Sequence, residues 1–574
     1  MRAEDRPWHR YYDRPDFHPD RLVASSMAEM LKAAAAEHGD KPSYSCVLPN
    51  GASATLSFAE IDRHSDAIAF YLREELGLVP GDVVAIQAPN CLGYPVAAYG
   101  VMKAGLTLTG INPLYTIAET RHQLSDSGAK VLFVIDLFGD RVKEAIAGTA
   151  VTHVVRLSVA DFFHPLRKML IEAALRHLSR KLPAMSAPAI PLAEAIRLGR
   201  RRQKGRDVAL LREGLGLERT AIYQYTSGTT GRSKGAEITE FNLLANITQQ
   251  DHFNGERLRA VREERETSLL ILPLYHVYAL AIGAMHAMRT GTHLVLAPSP
   301  RPLVNLKPAF EKFEITMLPG INTLFNELLK QDWFVANPPR SLKLCFSGAA
   351  PLSDATRERW EELTGCRIYE GYGLTEGTCI VTSAPLDGTF KPGTVGIPIP
   401  GTEIRILDEA GQELPPGMPG EVVVRGPQVM RGYLNRPEET GEAIRNGWLH
   451  TGDIGIMDED GFLRIVDRKK DMLIVSGFNV YPAEVEAALS SHPGVQEVAV
   501  VGVPDAKSGE APIAYVVRRD PALDEQELRR HAEEELTNYK RPRRYVFVDE
   551  LPKSPVGKIL RRELRDRAKD EMRK

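Results

Sequence analysis

Hydroxyls, glycines and one lysine crowd into the stretch Tyr225-Thr226-Ser227-Gly228-Thr229-Thr230-Gly231-Arg232-Ser233-Lys234-Gly235. Glycine lets a backbone turn tightly and bring its N–H groups close to an anion. The hydroxyls of Thr226, Ser227, Thr229 and Thr230 can donate to phosphate oxygens, and Lys234 adds a mobile positive charge. The chemistry is that of a polyphosphate clamp. It is not the Walker loop, which requires G-x-x-x-x-G-K-[ST] ahead of a helix; here Gly228 and Gly231 are three apart and Gly235 follows Lys234. A flexible Ser/Thr/Gly linker shares the composition, but a linker has no reason to end on a lysine between apolar flanks.

Such a loop has to be carried by a fold. At 574 residues the chain exceeds one ordinary core, so at least two domains are expected. Hydrophobic residues at 43% and charged residues at 26% belong to an ordinary globular protein. A net charge of −3 supplies no field to draw a polyanion, which argues against nucleic acid as a partner. The basic tail from Lys553 to Lys574 is interrupted by Glu563, Asp566, Asp570 and Glu571, the pattern of a solvated helix laced with ion pairs. Cys46, Cys91, Cys345, Cys366 and Cys379 lack metal-ligand spacing and suggest buried thiols in a reducing compartment. Met1 to Asp20 has no apolar core, so no secretory signal is expected, and the reading places the chain in the cytoplasm.

Alternating strand and helix patterns predict a parallel α/β sheet. The helical pattern covers Met27–His38 and Leu56–Gly77, a strand pair is expected near Tyr44–Leu56, and "AKVLFVID" (Ala129–Asp136) is a continuous apolar strand. Leu269 to Met288 is long enough to span a bilayer, but Pro273, Tyr275, His276, Tyr278 and His286 favour a buried strand running into a core helix. From Val395 short strands with Gly/Pro turns predict a small β-subdomain, and after "GFLRIVDRKKD" a compact mixed α/β tail follows. Asp161 to Arg206 differs in kind: Phe162, Phe163, Leu166, Met169, Leu170 and Leu178 stand beside Arg167, Lys168, Arg176, Arg180 and Lys181. Two readings remain open for residues 161–182, a surface helix packed on the protein and an interfacial segment touching an anionic membrane at its inner face.

Taken together, "INPLYT", "LPLYHVYAL", "CRIYEGYGLTEGT", "GPQVMRGYLNRPEET", "NGWLHTGDIG", "GFLRIVDRKKDMLIVSGFNVYPAEVE" and "LPKSPVGKILRREL" resemble the adenylate-forming superfamily of acyl-CoA synthetases, luciferases and peptide-synthetase adenylation domains. Within it the chain is most similar to bacterial long-chain fatty-acid–CoA ligases. The resemblance implies an α/β protein: a large N-terminal domain (residues 1–469) of packed α/β sheets plus a small β-subdomain, and a small mobile α+β C-terminal domain (470–574) hinged at Lys470. It also implies two steps. A carboxylate and ATP give acyl-AMP and pyrophosphate; then the coenzyme A thiol displaces AMP.

The same resemblance assigns roles. Thr226 and Glu376 hold Mg²⁺, Thr229, Thr230 and Lys234 handle the β- and γ-phosphates, and Ser227, Gly228 and Gly231 belong to the same ATP-binding loop. Gly348, Ala349 and Ala350 form one wall of the adenine pocket. Tyr372 lays its ring against adenine as the other, with Glu370, Gly371 and Gly373 beside it in ATP/AMP binding and Thr375 near the α-phosphate. Asp453 and Arg468 bind ribose. Lys558 neutralises charge between carboxylate and α-phosphate, so Lys558, Glu376 and Thr375 form the catalytic set. Rotation at Lys470 would bring Ser476, Gly477 and Phe478 in for coenzyme A. His276, Tyr278, Gly320, Thr323 and Phe325 line the acyl pocket, whose chain-length preference the motifs leave open; four buried methylenes are worth about 3 kcal/mol, or about two hundredfold. The substrate expected is a medium- to long-chain fatty acid, and a homodimer is compatible with the sequence. The rival readings are an acyl-AMP ligase loading a carrier protein, an aromatic-acid ligase, a luciferase-like oxygenase and a non-catalytic acyl-binding or regulatory protein.

Overall fold

The computed structural model describes residues 6–15, 17–179, 181–226, 233–261, 266–505, 507–554 and 559–573. The continuous apolar runs become parallel strands buried at every position: Val83–Gln87, Thr107–Ile111 and Val131–Ile135. Strands covered by helices on both faces read this way. They sit at the centre of an eight-stranded sheet. On one side it continues through His153–Leu157 to Ile190–Pro191, and on the other through Thr220–Thr226 and Lys234–Thr239 to Gly432–Tyr433.

A nine-stranded sheet packs beside it, ordered Ile397–Pro398, Thr382–Ser383, Ile368–Tyr372, Leu344–Ser347, Met317–Gly320, Thr267–Leu270, His293–Leu296, Pro42–Val47 and Ser53–Ser57. Helices Phe58–Phe70 and Gly93–Lys103 share one hydrophobic core with strands of both sheets. The first opens on a capping box, with Ser57 and Glu60 exchanging side-chain and backbone bonds. The two helices approach so closely that a Cβ on Gly100 would lie 2.5 Å from Ile68. Lys103, wholly buried at the end of the second helix, answers Asp62 and Asp66 of the first at 2.5 and 2.6 Å. A buried ammonium is tolerable only when paired in this way.

The apolar run from Leu269 resolves into strand Thr267–Leu270 and a wide π-helical segment, Tyr278–His286, continued by Ala287–Thr290. Among the described residues no helix is long and apolar enough to cross a membrane.

The β-subdomain is a five-stranded antiparallel sheet of Glu403–Leu407, Gly420–Arg425, Ile444–Arg445, Trp448–Met457 and Leu463–Arg468. The aromatic N-terminal segment clasps it together with the edge strand Ile397–Pro398 of the nine-stranded sheet. Arg6 pairs with Glu403 at 2.7 Å, the Tyr12 hydroxyl donates to the Pro398 carbonyl, and Trp8 lies so close to Gly461 that a Cβ there would be 2.1 Å from the ring.

The small C-terminal domain has its own sheet, Leu473–Val475, Phe478–Val480, Val495–Asp505, Gly509–Arg518 and Arg544–Phe547, over a separate core that includes Val485, Leu489, Val500 and Leu528. Its last helix, Arg561–Arg573, is laced with ion pairs as the charge pattern predicts, including Arg565 to Asp471 at 2.8 Å and Arg567 to Glu571 at 3.0 Å. The last strand of the β-subdomain ends at Arg468 and the first of the small sheet begins at Leu473. Arg561 bonds Glu486 at 2.5 Å and lies 3.8 and 3.9 Å from Asp467 and Asp471, and Asp467 accepts from the Ala483 N–H at 2.7 Å. All five cysteines are free and buried, with the Cys345 and Cys366 sulfurs 3.6 Å apart.

Candidate nucleotide and acyl site

Four segments that are far apart in sequence converge on the C-terminal ends of the nine-stranded sheet, where open α/β sheets bind ligands. Tyr372 ends strand Ile368–Tyr372 and donates its hydroxyl to Asp453 Oδ2 at 2.6 Å. The other oxygen of Asp453 takes Arg468 Nε at 3.0 Å. Asp453 and Arg468 face each other across adjacent antiparallel strands, so the ladder itself sets their pairing. Asp453 is 4% exposed. Each of its oxygens still has a lone pair beyond the bond it accepts, so a diol can be held as well.

The adenine-side expectations fall around this trio. Gly348, Ala349 and Ala350 follow strand Leu344–Ser347, and Ala349 takes a left-handed φ of 63°. A Cβ on Gly348 would stand 3.4 Å from both the Gly371 carbonyl and the Tyr278 ring, so the two expected walls are in reach of each other. Gly373 has to be glycine: a Cβ would come within 1.5 Å of the Cys379 carbonyl oxygen.

Glu370 is buried beside them, with the Leu352 N–H 3.4 Å from its carboxylate, and burial pushes its pKa up to about 7. Between the ordinary glutamate value of 4.5 and about 7 the folded chain holds a proton that the unfolded chain has lost. This contribution to stability is therefore complete below 4.5 and is lost as pH rises through about 7. Glu370→Gln keeps the neutral form at every pH. Calorimetry is expected to show the fall in Tm between pH 5 and pH 8 flattened in the variant, with a gain at pH 8 on the order of 2 kcal/mol. Parallel Tm profiles would contradict it.

On the phosphate side, Thr226 ends strand Thr220–Thr226 and pairs in register with Lys234, the first residue of the antiparallel strand Lys234–Thr239. Ser227, Gly228, Thr229, Thr230 and Gly231 lie outside the described residues, as does Lys558. Lys234 stands 5.3 Å above the ring of Tyr433, whose hydroxyl donates to Glu376 Oε1 at 2.7 Å. Tyr433 therefore couples the clamp to Glu376, and Met430 holds the Glu376 carbonyl through a 2.8 Å backbone bond. Thr375 and Glu376 share one short 3₁₀ turn, Thr375–Gly377. Behind the clamp, Tyr225 donates to Asp126 at 2.8 Å, and Arg436 answers the other oxygen of Asp126 at 3.2 Å.

Sequence reasoning missed Tyr433, Asp126 and Arg436. Tyr433 and Arg436 stand inside the quoted "GPQVMRGYLNRPEET", so an aromatic and a basic residue in a dense motif were the available signal.

The acyl-side residues are less uniform. His276 lies just before the π-helical segment, and its N–H bonds the Pro273 carbonyl at 2.9 Å. Tyr278 begins that segment, partly buried, with burial holding its phenol above the usual range. Thr323 carries a buried hydroxyl with no hydrogen-bond partner among the described residues, the kind of atom a ligand or water would satisfy. Phe325 is packed in the core. Its ring is fully buried, edge-on to Trp360 at 4.8 Å, and it backs Gly320, where a Cβ would stand 3.0 Å from that ring.

The coenzyme A expectations fall elsewhere. Ser476 and Gly477 form the tip of a tight hairpin, both with left-handed φ (52° and 84°). The tip is exposed; Phe478 is 55% exposed and stacks on Tyr539 with ring centroids 4.6 Å apart. In this arrangement the hairpin is not part of the site. The opposite edge of the small domain is turned toward the large one: Lys330 of the large domain, held below its usual range first by burial, feels Glu497, Arg519 and Lys553 of the small domain. At the junction, burial and then Arg468 lower the Lys470 ammonium to about 8.

These contacts agree with what the chain resembles. The AMP-binding enzyme family matches residues 31–434, and the AMP-binding enzyme C-terminal domain matches 484–558. A long-chain-fatty-acid–CoA ligase of Escherichia coli O6:H1 is 42% identical over 558 residues, spanning 97% of each chain. A protein of the same name from Bacillus subtilis is 35% identical over 97% of each. Among solved structures, ATP-bound MatB from Rhodopseudomonas palustris superposes with a TM-score of 0.79 at 29% identity, over 95% of this chain and 99% of that one. With both family domains matched in order along its length, the chain belongs to the AMP-binding enzyme family.

Proposed function

We propose that the protein is an ATP-dependent ligase that activates a medium- to long-chain fatty acid as acyl-AMP and transfers the acyl group to coenzyme A. The observation that carries this reading is the Tyr372–Asp453–Arg468 trio beside the adenine-side loops, joined through Glu376 and Tyr433 to Lys234. Full-length similarity to fatty-acid–CoA ligases supports the acyl substrate and the thiol acceptor.

In the first step a carboxylate oxygen attacks the α-phosphorus of ATP. The bond to the bridging oxygen of the β-phosphate breaks, and pyrophosphate leaves with the electron pair. Residues 226–231 and Lys234 hold the leaving group, Thr375 donates at the α-phosphate, and Asp453 with Arg468 fixes the ribose. Lys558 offsets the repulsion between two anions that must touch. In the second step the thiol sulfur attacks the acyl carbon, AMP departs as the stable phosphate anion, and the thiol proton is released to water.

A magnesium ion fits the residues present. Mg²⁺ takes one or two carboxylates together with substrate phosphates rather than an all-protein cage, and among the described residues no group of three or more His, Cys, Asp or Glu could hold a metal. Glu376, with one oxygen engaged by Tyr433, and Thr226 would hold it, where it would screen phosphate charge.

The domain boundary is proposed at 469/470, with Lys470 as the residue whose backbone turns between half-reactions. Lys470→Pro is expected to retain acid-dependent ATP–pyrophosphate exchange and to lose thioester formation at least tenfold. Unchanged overall turnover would contradict the hinge. Contact of residues 161–182 with the inner membrane face, a cytoplasmic setting and a homodimer belong to the same proposal. Flotation with anionic vesicles and sedimentation equilibrium read the first and last. The function itself is tested by supplying palmitate, ATP and coenzyme A: palmitoyl-CoA and AMP in equal amounts are expected, and ADP or no thioester would overturn the reading.

A further inference from the structure

The basic segment after strand His153–Leu157 does more than cover the sheet edge. Residues 161–206 hold eleven Lys/Arg against three Asp/Glu in a chain of net charge −3. Helix Pro165–Ala173 buries none of its residues, and Leu166, Met169 and Leu170 are 63%, 59% and 64% exposed. Between its inner side and helix Leu192–Gln203 lies a cavity of 680 Å³, within the range of small-ligand sites. In sheet order it is four strands from the phosphate clamp, about 20 Å at the usual strand spacing, so it is not the nucleotide site.

Phe162 is held at φ 69°, a conformation that is strained for a bulky residue and persists only where its neighbours impose it. Asp161 imposes it. One carboxylate oxygen accepts from the Ser158 N–H at 2.8 Å and the other from Lys168 at 2.6 Å. The Phe162 ring is thereby presented to His64 at 5.0 Å, and with Phe163, Met169 and Ile196 it makes an apolar lining. Charge at the cavity is unequal. Lys168 is answered by Asp161 and, at 3.8 Å, by Glu172. Arg176 and Arg200, one from each side, have no carboxylate within ion-pair distance among the described residues. Arg200 instead bonds the His64 ring nitrogen at 3.1 Å, and that imidazole, kept neutral at ordinary pH by burial, cancels none of its charge.

We propose that this cavity is a second, non-catalytic binding site for a long-chain carboxylate, with the alkyl chain along Phe162, Phe163, Met169 and Ile196 and the carboxylate between Arg176 and Arg200. The choice of a fatty carboxylate over other single-tailed anions rests on the function proposed above. A site of this kind beside an exposed apolar stripe would gather a poorly soluble substrate at the protein surface.

The test is equilibrium binding of palmitate to the full chain with the catalytic site filled by a non-reactive acyl-sulfamoyl adenylate. One palmitate per chain is expected to remain. Arg176→Glu/Arg200→Glu, and separately Ala193→Trp, which fills the cavity from an exposed position, are each expected to weaken it at least tenfold while leaving thioester formation at saturating palmitate unchanged. Hexadecanol should bind at least tenfold more weakly than palmitate. No residual palmitate, or full affinity in both variants, would overturn the site. So would variants that keep palmitate yet lose binding to phosphatidylglycerol vesicles, since that assigns the arginines to a bilayer headgroup. Failure of the adenylate analogue to bind the wild-type chain would count against the proposed function instead, and palmitate binding could still be read directly.

Discussion

Lys558→Ala is expected to slow acyl-AMP formation by a factor on the order of 10²–10³, the scale for losing one preorganised electrostatic donor. Thioester formation from supplied acyl-AMP should change by less than about threefold, because the α-phosphate repulsion that Lys558 offsets is absent from that step. The dissection rests on the proposed rotation at Lys470, by which the two half-reactions would use different faces of the small domain. Lys553, at the start of the same stretch, pairs with Glu497 at 2.8 Å and acts on Lys330 of the large domain, so this edge already faces the large domain. The Ser476–Phe478 hairpin is on the exposed side. Lys558→Arg should recover part of the rate, since it restores charge with a different shape. Equal losses in both half-reactions would remove Lys558 from the adenylation step.

Asp453→Ala is expected to lower kcat/KM for ATP by a factor on the order of 10²–10³, chiefly through KM. Two effects add. The ribose loses charge-assisted bonds, and the buried partners of Asp453 are stranded: Tyr372 loses a 2.6 Å acceptor and Arg468 loses its countercharge at 3.0 Å. Asp453→Asn separates them, because an amide can still accept from Tyr372 but no longer balances Arg468. It should bind ATP more tightly than the alanine variant and less tightly than the wild type. Isothermal titration with ATP in the absence of acid checks the order, and an unaltered affinity in Asp453→Ala would refute ribose anchoring by this carboxylate.

The parts of the site that were legible in the sequence are those carried by short dense motifs. Tyr372, Asp453 and Arg468 each stand in such a motif, and the fold brings all three into direct contact. Helix Met27–His38 ends where periodicity and the glycine that follows it say it should. What remained hidden depends on distant pairings. The Tyr433–Glu376 bond spans 57 residues and Tyr225–Asp126 spans 99, and no local pattern encodes which strands become neighbours. Phe325 shows the converse limit, because a large apolar residue near a ligand motif reads alike whether it lines a pocket or packs the core, and its contact with Trp360 leaves no mark in the sequence. For residues 161–182, amphipathicity was readable but its direction was not: Leu166 and Leu170 face solvent, which sequence periodicity cannot distinguish from facing the core.

The most direct test of the two-step ligase is pyrophosphate and AMP release across a ladder of saturated fatty acids, with and without coenzyme A. Pyrophosphate release that rises to a maximum at a long chain, with multiple turnovers and AMP release only when coenzyme A is present, is the predicted result. Acyl-AMP that accumulates to one equivalent and stays bound despite coenzyme A, or no release with any acid, would contradict it.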